Sequence, residues 1–195
     1  MATEIINERL LYPSYEIIGG EKIMSPAANL THSGIIMRLG MIIGTYLSNN
    51  KSGYVFSDDV DVHFSDGTLY KPDLVVILKE NEKILNWSSN IYGAPDMVVE
   101  VLSKSTKKKD LTIKKDTYEA HGVKEYWIVD PFSKSVSVYL LQDGKYFWAD
   151  EYAIFDESDF KFMTEEEKAN VKTEVPVSIL EGLSIPLEFI FSWGF

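Results

Sequence analysis

The sequence predicts an α/β (α+β) architecture in which helices flank one mixed sheet, and three observations carry that prediction. Two largely aliphatic runs, Asp73–Leu78 and Asp96–Leu102, have the length and composition of buried strands. One segment of helical periodicity precedes the first run and another follows the second, so helix, strands, helix and strand alternate. Short β-prone segments add to both ends of the chain.

The first element is a hairpin, Tyr15–Ile18 and Glu21–Met24, joined at Gly19-Gly20. Ser25-Pro26 breaks the chain. Thr31 is placed to cap a helix running to about Leu47, where Ile35, Ile36, Leu39, Ile42, Ile43 and Tyr46 form one wide apolar face. Short strands follow at Tyr54–Phe56 and Val60–Phe64, the second with period-two alternation, then a turn at Ser65-Asp66-Gly67. Between the two aliphatic runs, Lys79–Ala94 is polar and interrupted and reads as a loop. After Ser103-Lys104-Ser105-Thr106 a helix is expected from about Lys108 to Ala120, with Gly122 where a C-terminal glycine belongs. Glu125–Asp130 is a strand ended by Pro131, and Ser135–Leu141 and Tyr146–Ala149 make a hairpin about Asp143-Gly144. Beyond the acidic Glu165-Glu166-Glu167, the runs Val175–Leu180 and Ile185–Phe191 read as edge strands and a terminal helical turn.

Composition narrows the function. The 195 residues contain no cysteine, which excludes disulfides, thiolate nucleophiles and Cys-ligated metals. The opening MATEIINERL has no signal-peptide pattern, and no apolar run approaches the roughly 20 residues that span a bilayer, so a cytoplasmic protein without membrane partners is expected. A net charge of −11 opposes binding nucleic acid through bulk electrostatics. The dense basic cluster is Lys104, Lys107–Lys109 and Lys114–Lys115. Ser-His-Asp spacing, phosphate-cradling glycine loops, His-x-x-x-His pairs and dinucleotide fingerprints do not occur.

The informative residues are two acids inside hydrophobic strands, Asp73 and Glu100. Burying a carboxylate is costly unless a partner or a metal compensates it. Adjacent strands presenting such a pair at one end of a sheet suit Mg²⁺, which lowers the pKa of a bound water and stabilises a phosphoryl transition state. On spacing alone, an edge residue or a salt-bridge partner is the commoner explanation of such a Glu100. Asp96 shares a strand face with Glu100 but lies about 13 Å away at about 3.3 Å per residue, too far for one metal to bridge. It reads as a strand-start residue after Pro95.

Lys71-Pro72-Asp73, Pro95 through Glu100 to Ser103, Asp110 through Lys114 to Tyr118, and Gly122 through Glu125-Tyr126-Trp127-Ile128-Val129-Asp130-Pro131 together resemble the Uma-two family. This is a bacterial family of restriction-endonuclease-like proteins in the PD-(D/E)XK nuclease superfamily. Tyr15-Glu16, Gly20-Glu21, Met24-Ser25-Pro26 and His32 extend the resemblance over about residues 10–145, within a single domain of residues 1–195 whose residues 146–195 are a C-terminal β extension. The resemblance implies a restriction-endonuclease-like fold and a Mg²⁺- or Mn²⁺-dependent endonuclease acting on nucleic acid, in particular DNA, as a homodimer. It implies that Asp73 and Glu100 are catalytic metal ligands, with the Val101 backbone carbonyl as a further ligand. The superfamily's lysine two residues after the acid is replaced here by Leu102, and the resemblance moves that role to Lys114. Lys114, Tyr118 and His121 share a helical face, and His32, Glu16 and Tyr118 are accessory candidates, with Glu21 behind them. Lys107–Lys109 read as surface charge, His63 as structural or exposed, and Trp127 and Trp148 as core or edge aromatics. The competing expectation is a catalytically degenerate nuclease fold kept as a binding or assembly module, which Leu102 and the acidic charge favour.

Overall fold

Helix α1 (Leu30–Asn50) buries Ile35, Ile36, Leu39 and Ile43 of the expected face together with Leu47, while Ile42 and Tyr46 are half-buried beside them. Its cap is Asn29 rather than Thr31: the Asn29 side chain accepts the His32 N–H at 2.9 Å, and asparagine is among the strongest capping residues. The computed structural model describes residues 15–24, 29–57, 60–103 and 107–192. The predicted break at Ser25-Pro26 and residues Lys104 to Thr106 of the predicted punctuation lie outside them.

The chain builds two principal sheets. Six strands, β3 (Gly53–Ser57), β6 (Leu74–Leu78), β8 (Met97–Val101), β9 (Glu125–Asp130), β10 (Ser135–Gln142) and β11 (Lys145–Ala153), lie in the order β11-β10-β9-β8-β6-β3. Of these pairs only β8 with β9 is parallel, so the sheet is mixed as predicted. The amino-terminal hairpin β1 (Tyr15–Ile18) and β2 (Glu21–Met24) joins β4 (Val62–His63), β5 (Leu69–Tyr70) and β7 (Ile91–Tyr92) in a smaller sheet. The expected loop Lys79–Ala94 therefore holds structure: a 3₁₀ turn over Lys79–Ile84 and strand β7.

The helix expected from Lys108 to Ala120 is a composite. It comprises α2 (Lys107–Lys109), a π turn (Asp110–Lys114) and α3 (Lys115–His121), closed by Gly122 at φ 84°. The C-terminal region is less β than predicted. After β11 come α4 (Glu157–Phe160), α5 (Glu165–Ala169), the short pair β12 (Glu174–Pro176) and β13 (Ser184–Pro186), and α6 (Leu187–Phe191). Nor is that region peripheral, because Val175, Ile185, Ile190 and Phe191 pack in the core shared by α1 and the large sheet.

Strand parity sorts the two cores. Val99 and Val101 face α1, while Val98 faces the small sheet and α3, among Tyr70, Tyr118 and Tyr126. Glu100 has the parity of Val98 and therefore points to the second face. Leu74 pairs with Val99 on β6 and β8, and one further step of that register sets Asp73 opposite Glu100 on the same face.

Candidate active site

Four segments converge where β6 begins and β8 ends. Asp73 precedes β6, Glu100 lies in β8, Glu16 comes from β1 and Lys114 from the π turn. Lys114 is the hub: its Nζ lies 2.8 Å from Glu16 Oε1, 3.0 Å from Glu100 Oε1 and 3.5 Å from Asp110 Oδ1. Lys114, Glu100 and Asp110 are only 4%, 3% and 1% exposed. Tyr118, one turn beyond Lys114, donates its hydroxyl to the same Glu100 oxygen at 2.7 Å. The Lys71 N–H donates to Glu16 Oε1 at 3.3 Å, which ties β1 to the approach of β6.

Asp73 is held through its Oδ2. The Val101 N–H donates to that oxygen at 2.6 Å, and His32 Nε2 stands 3.1 Å from it. The first turn of α1 thus reaches the site through His32. The N–H and C=O of one strand residue point to the same neighbouring strand, so the Val101 carbonyl is directed to the side where Asp73 lies. Among the described residues, Oδ1 of Asp73 and Oε2 of Glu100 accept no hydrogen bond. Each carboxylate is anchored by one oxygen and keeps the other.

The electrostatics follow from burial and crowding. Burial pushes the Glu100 carboxyl well above its ordinary pKa; Lys114 opposes the rise, while Asp110, Asp73 and Glu16 add to it. Burial works against the Lys114 ammonium, yet Glu100, Glu16 and Asp110 outweigh it and hold the group well above the usual lysine value. Burial and the Glu100 charge likewise raise Tyr118, which stays a hydrogen-bond donor at neutral pH. Among the described residues, three carboxylates share one buried ammonium, and Asp73 stands across from Glu100 without a lysine of its own. That shortage of positive charge is what a divalent cation relieves.

The structure brings together Asp73, Glu100, Lys114, Glu16, His32 and Tyr118. It leaves out Glu21, which is exposed on β2, and His121, which meets Asp66 Oδ2 at 3.2 Å and packs on Phe64. His121 lies seven residues beyond Lys114, a rise of about 10 Å along the helix, so the shared face does not deliver it to the same place. Leu102, at the superfamily's lysine position, is buried in the second core. Trp127 is fully buried, whereas Trp148 is exposed on the edge strand β11. Lys107 is committed to Asp130 at 2.9 Å and Lys108 is exposed, so the basic run is surface charge. Asp110 is the site residue that sequence reasoning did not single out; its signal is the i, i+4 spacing to Lys114. No group of three or more acidic or histidine side chains among the described residues is arranged to hold a metal by itself. No helix among them is long and apolar enough to cross a membrane.

The mixed sheet, the helices on its faces and the acidic pair at one end of it define a protein of the restriction-endonuclease-like fold. The crystal structure of a putative nuclease belonging to DUF820 from Anabaena variabilis ATCC 29413 superposes with a TM-score of 0.70, covering 93% of this chain and 92% of that one at 22% identity. The family model for Uma2, described as "Putative restriction endonuclease", matches residues 8–153, and the chain belongs to that family. No curated protein matches the chain.

Proposed function

We propose that the chain is a divalent-metal-dependent endonuclease that hydrolyses phosphodiester bonds, with DNA as substrate and Mg²⁺ or Mn²⁺ as cofactor. The observation that carries this reading is the pairing of Asp73 with Glu100 across adjacent strands, one oxygen of each without a hydrogen-bond donor, beside Lys114. The donor set suits a hard cation: two carboxylates, the Val101 carbonyl, and water and phosphate for the remaining positions. When bound, such an ion lowers the pKa of a coordinated water and withdraws charge from the phosphate.

The chain's own residues do the rest. Lys114 and Tyr118 fix Glu100 through Oε1, and His32 and the Val101 N–H fix Asp73 through Oδ2. Lys114 also supplies the positive charge for a scissile phosphate, in exchange for its contact with Glu16. Burial raises the pKa of the Glu100 carboxyl, so an ion held there would compete with a proton and bind more strongly as pH rises. A homodimer through the carboxyl-terminal region, where Phe147 and Trp148 are exposed on β11, places two sites on the two strands of a duplex. Light scattering tests that assembly.

The deciding experiment is cleavage of supercoiled plasmid with Mg²⁺ or Mn²⁺, comparing wild type with Asp73→Ala and Glu100→Ala. Metal-dependent nicking, lowered at least about 100-fold by each substitution, is the expected result. A second reading, a nuclease fold retained as a binding module, draws on the −11 charge and on the three carboxylates that already occupy Lys114. Absence of cleavage with either metal supports it, and calorimetric titration with Mn²⁺ then asks whether the site still takes an ion.

A further inference from the structure

The helix that carries Lys114 is irregular, and the irregularity has a partner. Between α2 and α3 the backbone widens into one π turn, Asp110–Lys114, and this turn supplies both Asp110 and Lys114 to the site. A π turn adds about one residue to an α-helix at a cost in backbone geometry, so it persists where surrounding structure holds it. In a regular helix Asp110 and Tyr118, eight residues apart, would be rotated by about 80° about the axis. The added residue lets eight residues cover the arc of about seven, and the offset falls to about 20°. Asp110, Lys114 and Tyr118 therefore line up towards Glu100, while Leu111, Thr112 and Ile113 face solvent.

Tyr126 reaches into that turn. It lies on β9 opposite Val98 of β8, on the same face as Glu100, and its hydroxyl donates to the Asp110 carbonyl at 3.1 Å. Its ring is fully buried, 5.1 Å from that of Tyr118 and 6.2 Å from that of Tyr146. Tyr146 is itself fixed by donating to the Val123 carbonyl at 2.8 Å. The donor is thus locked in place by strand pairing below and by ring packing on both sides.

We propose that Tyr126 is a positioning residue: by donating to the Asp110 carbonyl it holds the π turn open and sets the helix register at which Lys114 and Asp110 reach Glu100. The catalytic consequence rests on the nuclease reading, while the geometric one does not. The test uses Tyr126→Phe, which keeps the ring and removes the donor, together with deletion of Thr112, which takes the extra residue out of the turn at an exposed position.

The first readout needs no activity. It is the ¹H–¹⁵N signal of the Lys114 ammonium, assigned by its loss in Lys114→Arg. The wild type is expected to give a slowly exchanging signal, and both variants are expected to lose or shift it while still unfolding cooperatively. An unchanged Lys114 signal in Tyr126→Phe overturns the proposal, even if the variant melts earlier, because a tyrosine that merely fills the core would leave the ammonium where it is. A wild type without any slow ammonium signal overturns it too. If the Thr112 deletion fails to fold, Tyr126→Phe decides alone. The second readout is steady-state cleavage. Tyr126→Phe is expected to lower kcat about 10- to 100-fold with KM within about twofold, and an unchanged kcat counts against the proposal. Should the wild type cut nothing, the nuclease reading fails and the ammonium signal still decides the role of Tyr126.

Discussion

Strand β8 has a buried carboxylate near each end, and the two are built differently. Asp96, just before the strand, is 2% exposed, close to the burial of Glu100. Both Asp96 oxygens are satisfied: Oδ2 accepts from the Leu78 N–H at 2.8 Å and from Asn81 Nδ2 at 3.2 Å, and Oδ1 meets Lys124 Nζ at 2.8 Å. One carboxylate, one cation and donors on both oxygens make a closed structural junction. Glu100 is held by one oxygen only and shares its lysine with Glu16 and Asp110. Equal burial therefore says little about purpose. What separates the two ends is the number of donors per oxygen and the balance of charge within reach.

The largest expected effect comes from Lys114→Ala. Removing the one ammonium from three buried carboxylates is expected to cost about 3–5 kcal/mol of unfolding free energy, measured by urea denaturation without metal. Adding Mn²⁺ is expected to recover part of the loss, because the ion replaces the missing positive charge. A cost below about 1 kcal/mol would show that the acidic cluster is already relaxed or protonated, and the contrast with Asp96 would fail. At the other end, Asp96→Ala strands the Leu78 N–H and is expected to cost about 1–3 kcal/mol while leaving cleavage per folded molecule unchanged. Loss of cleavage there, at unchanged fold, would erase the distinction between the two ends.

The next effect is a slope with pH. The folded-state pKa of Glu100 lies above its unfolded value of about 4.3, so the native state binds more protons than the unfolded chain between the two. Stability therefore falls as pH rises from the ordinary glutamate range through the raised value. Glu125, also raised by burial although it accepts from Trp127 and from the backbone, slopes in the same direction. Lys114 contributes in the opposite range: its stabilisation is complete below the usual lysine pKa of about 10.4 and fades only as pH rises through the raised value. Glu100→Gln is expected to flatten the fall that begins above the ordinary glutamate range, leaving the Glu125 part. Identical pH profiles for wild type and variant would mean that Glu100 is ionised in the fold at no cost.

These contrasts also show what the sequence makes legible. Asp73 and Glu100 stand out because an acid inside an aliphatic strand is costly, and Asp96 is recognisable as a strand-start residue from Pro95 and its four-residue distance. The sheet follows from the same runs. Other features depend on contacts between distant segments. The cap is Asn29 and not Thr31 because the helix begins two residues earlier than expected. Glu16 earns its place only when β1 joins the small sheet and lays it against Lys114, 98 residues later in the chain. The π turn has no local signature, since Asp-Leu-Thr-Ile-Lys is compatible with a plain helical turn, and a hydroxyl from β9 meets its backbone. The C-terminal region reads as edge strands because its apolar runs are short, yet Val175, Ile185 and Ile190 are needed to finish the α1 core.

The smallest expected effect sharpens the comparison most. Lys124 is the cation of the Asp96 junction, but its side chain is 51% exposed, against 5% for that of Lys114. A half-exposed ion pair is screened by solvent and salt, so Lys124→Ala is expected to cost less than about 1 kcal/mol, and less still in 1 M NaCl. Asp96 keeps the Leu78 N–H and Asn81 after the change, two donors that still hold its Oδ2 just before β8. Glu100 has no comparable reserve, since Lys114 and the Tyr118 hydroxyl are its only donors among the described residues. If Lys124→Ala instead costs as much as Lys114→Ala, both carboxylates depend on their lysines alike. The asymmetry on which the proposed function draws would then have to come from the oxygens of Asp73 and Glu100 that accept no hydrogen bond among the described residues.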